Sequence, residues 1–231
     1  MYSFEVHLHT SACSKCGSST AEEMIDAAKA GGYSGLVLTN HFYRGNTCID
    51  RELPWKEFVG AYAEEYYRAK EYGKQQGIVV LFGLEEVYAP GKEALIYGIT
   101  PECVAAEPEF KKMSLAQLSA FVHKNGGVIV CAHPFRDRAY IPDPDTVPDV
   151  ELFDGIECFN LGNKPEENVK AFALACNYGA RMISGSDVHS AGRFGLAGIA
   201  FEEPVETDED FLRQFKAGAY QLICDGTRFE K

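Results

Sequence analysis

The stretch Phe4-Glu5-Val6-His7-Leu8-His9-Thr10 opens the chain as an apolar run that closes on two histidines. On a β-strand, successive side chains take opposite faces, so residues two apart share one. A strand over residues 4–9 therefore points His7 and His9 the same way from one backbone. That is how a strand offers two nitrogen ligands to one metal ion. A His-x-His pair says little alone, but the chain has six histidines. Five of them, His7, His9, His41, His133 and His189, lie at the ends of apolar runs beside Asp, Asn, Pro or Ser.

Outward from this strand the pattern is strand, loop, helix, repeated. Thr20 and Glu23 form a capping box for a helix over 21–30, which Gly31-Gly32 stops. A strand over 35–39 runs into Asn40-His41. Pro54 suits the first turn of a long helix to about residue 76, and its Trp55, Phe58, Val59, Tyr62, Tyr66 and Ala69 repeat at helical spacing. The run 77–83 is a buried strand ending at Leu84-Glu85-Glu86, and 94–99 is another, reached through Pro90-Gly91. Ser114 caps a helix to Asn125. Strands at 128–132, 155–159 and 181–184 follow, the first ending in His133-Pro134 and the last in Gly185-Ser186-Asp187-Val188-His189. A helix at 165–178, a strand near 197–201, a helix near 208–217 and a strand at 220–224 complete the reading.

Strands alternating with helices imply a mostly parallel sheet, and continuous apolar runs imply strands buried on both faces. About seven strand–helix units suit a closed or nearly closed α/β barrel in a single domain over 1–231. His41, Glu85, His133, Asp187 and His189 fall at the carboxy-terminal ends of strands, the rim where such barrels do chemistry. Five histidines with Glu85 and Asp187 are too many for one tetrahedral ion. They suggest two or three divalent ions, and imidazole with carboxylate suits Zn, Mn or Fe.

With 22 Lys and Arg against 34 Asp and Glu, the net charge of -12 argues against a nucleic-acid backbone binder. It leaves small anionic substrates open, because bound cations invert the local field. The sequence shows neither a signal-peptide pattern nor a long apolar stretch, so no membrane partner is expected. Of the eight cysteines, Cys131, Cys158, Cys176 and Cys224 fall inside predicted elements, as buried thiols of a cytoplasmic protein do. His123, on the helix before Gly126, reads as a solvent or helix-end residue. Glu86 faces away from Glu85.

The pieces His7-Leu8-His9-Thr10, Thr39-Asn40-His41, Gly83-Leu84-Glu85, Ala132-His133-Pro134 and Ser186-Asp187-Val188-His189 resemble, in order and spacing, the PHP superfamily, named for its polymerase and histidinol phosphatase members. The resemblance implies a distorted (β/α)7 TIM-like barrel, up to three divalent metals on its rim, and phosphoester hydrolysis. It implies that His7, His9, Glu85 and Asp187 hold a first ion, that Glu85 bridges to a second held by His133, and that His41 and His189 hold a third. The sequence departs from the family at three places. Where members carry an Asp or His ligand after the first motif, this chain has Lys15-Cys16, and Cys16 is the substitute candidate. Glu93 stands where many members have a histidine, which favours Mn or Fe over Zn. Asn40 replaces an Asp.

The expected reaction is attack by a metal-activated hydroxide on the phosphorus of a small phosphomonoester or nucleotide, releasing phosphate. Asp187, His189 and His41 are the implied catalytic residues. Arg136, three residues after His133, is a candidate bidentate phosphate clamp, with Arg193 as a second. The alternatives are histidinol- or tyrosine-phosphatase-type activity, a nuclease, a metal-binding regulatory domain without turnover, and a C–N hydrolase. The last group uses a metal-bridging lysine, and no lysine falls at a predicted strand end.

Overall fold

Short apolar runs rich in Val, Ile and Leu, punctuated by glycine, build the strands, and capped amphipathic segments build the helices. The computed structural model describes residues 1–229. The order is β1 (Tyr2–Glu5), α1 (Ala21–Ala30), β2 (Gly35–Leu38), α2 (Trp55–Gln76), β3 (Val79–Ala89), β4 (Lys92–Tyr97), α3 (Pro101–Ala105), α4 (Leu115–Lys124), β5 (Val128–Ala132), β6 (Gly155–Asn160), α5 (Pro165–Tyr178), β7 (Met182–Gly185), β8 (Ala197–Phe201), α6 (Asp208–Ala217), β9 (Tyr220–Cys224) and β10 (Thr227–Phe229). The capping box at Thr20 and Glu23 is formed in both directions, and Ser114 makes a second one with Gln117. No helix among the described residues is long and apolar enough to cross a membrane.

All strands join one sheet in the order β10-β9-β8-β1-β2-β3-β4-β5-β6-β7. The sheet is mixed and curled. β1, β2 and β3 are parallel neighbours, as are β5, β6 and β7. β4 runs antiparallel to both β3 and β5, and β8 to β10 continue antiparallel beyond β1. The curl brings the segment after β7 back to the segment after β1. Leu8 bridges Val188 in parallel sense, and His9 N–H donates to Val188 O at 2.9 Å.

Three expectations from the sequence need correction. The sheet is mixed rather than mostly parallel, because β3 and β4 have no crossover helix between them and run antiparallel, as do the pairings of β8 to β10. Pro90 and Gly91 instead make a two-residue hairpin turn, with Gly91 at φ 71°, a left-handed value that favours glycine. β3 does not end at Glu85 but runs on to Ala89, so Glu85 is a mid-strand residue. The paired part of β1 stops at Glu5 rather than spanning 4–9. The Glu5 carboxylate accepts the N–H groups of Val6 and His7, and the chain bends at His7 before bridging again at Leu8.

Two apolar cores flank the sheet. One packs Met24 and Ile25 of α1, Phe58 and Tyr62 of α2, and Leu118 and Val122 of α4 against β2, β3 and β4. The other joins Phe4, Leu95, Tyr97 and Phe201 to Ala171 of α5 and Phe211 and Phe215 of α6. Phe211 is 2% exposed and sets its ring 5.3 Å from Phe201 and 5.4 Å from Tyr97. Replacing Phe211 with Ala should lower unfolding free energy by roughly 3–5 kcal/mol, the cost of an emptied aromatic site. Chemical denaturation checks it, and a loss under about 1 kcal/mol would refute the packing described.

Candidate metal centre

The histidines meet at the mouth of the curl because the strand ends carry them there. His7 and His9 follow β1, His41 follows β2, His133 follows β5, and Asp187 and His189 follow β7. Glu85 comes from the middle of β3. The reversal of β4 brings its first residues to the same rim, so Glu93 lies opposite Val87 and Ala132. His133 and Asp187 turn the chain with left-handed backbone, φ 25° and 51°. Such values are costly for residues with a Cβ and cluster where surrounding structure over-determines the geometry.

Glu85 is the hub. Its Oε1 lies 3.2 Å from His7 Nε2 and 3.1 Å from His133 Nε2. Its Oε2 lies 2.7 Å from His41 Nδ1 and 3.5 Å from His9 Nε2. Asp187 Oδ1 stands 3.0 Å from His9 Nε2 and 3.5 Å from His7 Nε2. Glu93 reaches His41 Nδ1 and His133 Nε2, each at 3.5 Å. Among the described residues, four triplets offer ligand atoms within 4.8 Å of one another: His9, His41 and His189; His7, His9 and Glu85; His7, His133 and Asp187; and His41, Glu85 and Glu93. Cys16 belongs to none of them. It is exposed and shares the lining of one cavity with His41 and His189.

Outer partners decide which nitrogen each ring presents. His7 Nδ1–H donates to Glu157 Oε1 at 2.7 Å, leaving Nε2 to face Glu85 and Asp187. Ser14 Oγ donates to Asn40 Oδ1, so it accepts from His9 Nδ1–H at 3.2 Å and from His41 N–H at 3.0 Å. His189 Nδ1–H donates to the Asp187 carbonyl at 2.8 Å. These tautomers follow from the network.

Whether the donors suit a cation is tested by what they lack. His7 Nε2, His9 Nε2, His41 Nδ1 and Glu85 Oε2 are buried without a hydrogen bond. Orphaned buried polar atoms are costly. Ligands about 2.0–2.2 Å from an ion stand roughly 3.0–3.5 Å apart, which is the spacing found here for every contact of Glu85, Asp187 and Glu93 with His7, His9, His41 and His133 but that of His41 and Glu85. The imidazole and carboxylate set fits Zn, Mn or Fe.

The charges are tightly linked. Burial alone would lower the basicity of His7, but Glu157, Asp187 and Glu85 hold it well above the ordinary histidine value. Burial likewise opposes the charge on His41, and Glu85, Cys16 and Glu93 outweigh it. His9, buried and beside the His41 charge, is pushed down to about 3. Burial would raise Asp187, yet Arg136 and His7 hold it well below the usual carboxylate range. Glu93 is raised by burial and by the Glu85 charge. For Cys16, burial opposes ionisation, but hydrogen bonds from His189 and His41 bring the thiol down to about 6.

No curated protein matches the sequence significantly. Residues 165–220 match the family model described as PHP-associated. Three solved structures share the fold at low identity. A two-domain protein from Bacteroides vulgatus, containing a part assigned as a PHP-like metal-dependent phosphoesterase, is 15% identical with a TM-score of 0.73, covering 100% of this chain and 66% of that one. A protein from Bifidobacterium adolescentis assigned as a metal-dependent phosphoesterase is 16% identical with a TM-score of 0.57, covering 94% and 96%. An amidohydrolase from Chromobacterium violaceum, solved with sulfate and no metal, is 18% identical with a TM-score of 0.57, covering 81% and 87%. The chain is thus similar in fold to these structures, and over residues 165–220 its sequence matches the PHP-associated model.

The strand ends, the middle of β3 and the reversed β4 thus bring His7, His9, His41, Glu85, Glu93, His133, Asp187 and His189 to one place. Arg136 sits beside them, with its Nη2 on Asp187 and, at 3.0 Å, on Asn160 Oδ1, and its Nε on Asn163 Oδ1 at 3.1 Å. A cavity of about 520 Å³ opens above, lined in part by Cys16, His41, Glu93, Arg136, Asp187 and His189. A larger apolar groove of about 800 Å³ runs beside α5 and contains no histidine. Arg193 lines a smaller recess with Asp187 and His189. His123 pairs with Asp154 at 2.9 Å and belongs to none of the ligand triplets, and Glu86 binds Arg44 instead. A lysine does reach the rim. Lys92 opens the reversed β4, but its Nζ is held by the carbonyls of Pro134, Pro144 and Thr146.

Sequence reading missed the outer partners Glu157, Ser14, Asn160 and Glu5. The one available signal was an acid inside an apolar run, as at Ile156-Glu157-Cys158.

The carboxylates around His7 and His41 favour their protonated forms in the metal-free centre, and an ion can use only neutral nitrogens. Binding of Mn2+ or Zn2+ should therefore release protons, and affinity should weaken as pH falls. Isothermal titration in buffers of different ionisation enthalpy measures the release, and pH-independent binding with no proton release would contradict these charge assignments.

Proposed function

We propose that this chain is a metal-dependent hydrolase of phosphoesters, acting on small phosphomonoesters or nucleotides. The observation that carries the reading is the convergence of buried imidazole nitrogens on Glu85 with no hydrogen bond to occupy them. His7, His9, Glu85 and Asp187 would hold one divalent ion. Glu85 and His133, with Glu93, would hold a second, and His41 and His189, with Cys16 at the open side, a third. In this reading β1 to β7 are the wall of a distorted (β/α)7 barrel with β4 reversed. Zn, Mn or Fe bound there would supply a Lewis acid for phosphoryl oxygens and a more acidic water.

The protein's own groups support such a reaction in three ways. Burial of the ligand set excludes bulk water and strengthens every charge interaction inside. Arg136 lines the cavity and keeps Asp187 ionised, so this carboxylate stays available at neutral pH. His41 and His189 border the same cavity, within reach of a group that departs from the phosphate. The likeness to an amidohydrolase favours C–N hydrolysis as a second reading. Against it, Lys92 is tied to three carbonyls and does not face Glu85.

The deciding experiment strips the protein with chelator, reloads it with Mn2+, Fe2+, Zn2+ or Mg2+, and assays p-nitrophenyl phosphate, mononucleotides, sugar phosphates and simple amides. Phosphate release should return with metal. Asp187→Ala and His9→Ala should lose more than the roughly 100-fold typical of losing an outer partner, while retaining wild-type circular dichroism. Amide turnover alone would replace the phosphoesterase reading with the second one. Bound metal without turnover of phosphomonoesters, diesters, phosphopeptides or amides would leave a metal-binding regulatory domain.

A further inference from the structure

Beneath the ligand cluster lies a carboxylate that belongs to none of the three ligand sets. Glu157, on β6, is fully buried. Its Oε1 accepts His7 Nδ1–H at 2.7 Å. Its Oε2 accepts the backbone N–H of His133 at 2.9 Å and Asn160 Nδ2–H at 3.0 Å. Asn160 in turn presents its Oδ1 to Arg136, which holds Asp187. One carboxylate thus grips two histidines that follow different strands and meet Glu85 through the same oxygen, Oε1.

The surrounding backbone is shaped to this contact. A Cβ on Gly185 of β7 would stand 2.5 Å from Glu157 Oε1 and 2.6 Å from His7 Cβ. Only glycine lets β7 pass the pair so closely. His133 has φ 25°, and its N–H ends on Glu157. The rings of His7 and His133 lie 5.6 Å apart and are inclined by 23°, close to parallel.

We propose that Glu157 is a positioning residue for the metal centre. It sets the tautomer and orientation of His7 and the backbone of His133 together, so that the ligand atoms these two histidines would offer to bound ions keep a fixed relation to Glu85. The proposal rests on the reading of this cluster as a metal centre. Outer-shell carboxylates on metal-bound histidines are worth about 10- to 100-fold in metal affinity. Here one carboxylate serves two ligands, so its loss reaches two ions at once. A carboxamide would serve only one of them: its oxygen can take His7 Nδ1–H, while its nitrogen faces the two donors His133 N–H and Asn160 Nδ2–H.

The test titrates the metal-free wild type, Glu157→Ala, Glu157→Gln and a control with Mn2+ and Zn2+. It records stoichiometry and affinity, the His7 tautomer by long-range 1H–15N NMR of the zinc-loaded protein, and thermal unfolding. Glu167→Gln is the control. That carboxylate is also buried, but it binds Asp137 N–H and Arg138 rather than a ligand histidine. Glu157→Ala should bind at least two ions about 10- to 100-fold more weakly and lose the single His7 tautomer. Glu157→Gln keeps the side-chain volume and carries the test if the Ala variant does not fold. It should keep the His7 tautomer and weaken one ion more than the other. The control should change thermal stability alone. Glu157 variants with wild-type affinity and His7 signature, whatever their stability, would overturn the proposal and leave the metal centre standing. A wild type that binds neither ion would overturn both.

Discussion

A carboxylate sealed from water among four imidazoles cannot stand uncompensated, and Glu85 is in that position. It is 1% exposed, and its two oxygens face His7, His9, His41 and His133. The cost of desolvating it is met by positive charge, whether protons on the rings or divalent cations between them. That constraint organises the molecule around it. β3 must run past Glu85 to place it mid-strand rather than at a frayed end. β1, β2 and β5 must stop early enough for the histidines that follow them to turn inward. The curl must close far enough for Asp187, from β7, to meet His9, from β1.

Rigidity at this centre is assembled from behind. Ser14 and Asn40 fix His9 and the backbone of His41, and Thr10 ties Asn40 to the buried Glu65 of α2. Phe42, next to His41, is clasped edge-on by Trp55, Phe58, Tyr62 and Phe110. Lys92 draws residues 134 to 146 onto the hairpin through three carbonyl contacts, and Ile141 packs over Gly91. Left-handed backbone at His133 and Asp187 is therefore held on several sides at once, which is the condition under which such strain persists.

Much of the fold was legible because its signals are local. Capping residues, glycine stops and apolar periodicity depend on neighbours a few positions away, so α1, α2, α4, α5 and α6 fall within a residue or two of expectation. The reversal of β4 was not legible as a direction. Pro90-Gly91 marked the turn, yet the same pair serves loops of many kinds. The strand holding His7 and His9 was read too long, because alternation along a sequence does not reveal the Glu5 carboxylate bending the chain at His7. Glu157 went unread for a related reason. Its partners are His7, 150 positions away, and the amide of His133, and neither leaves a mark beside it in the chain.

By itself, the sequence determined the identity of the donors, the order in which they follow apolar runs, and the likeness to the PHP superfamily that those motifs carry. Ligand chemistry is a property of side-chain type, and strand ends are punctuated by nearby residues. Only the tertiary structure decided that Glu85 is the shared hub, that Glu93 and Lys92 reach the rim on a reversed strand, that Arg136 is engaged by Asp187, and which nitrogen each ring presents. Those are distances and hydrogen bonds between segments remote in sequence, set by how far the sheet curls and by which polar group is left to satisfy another once water is gone.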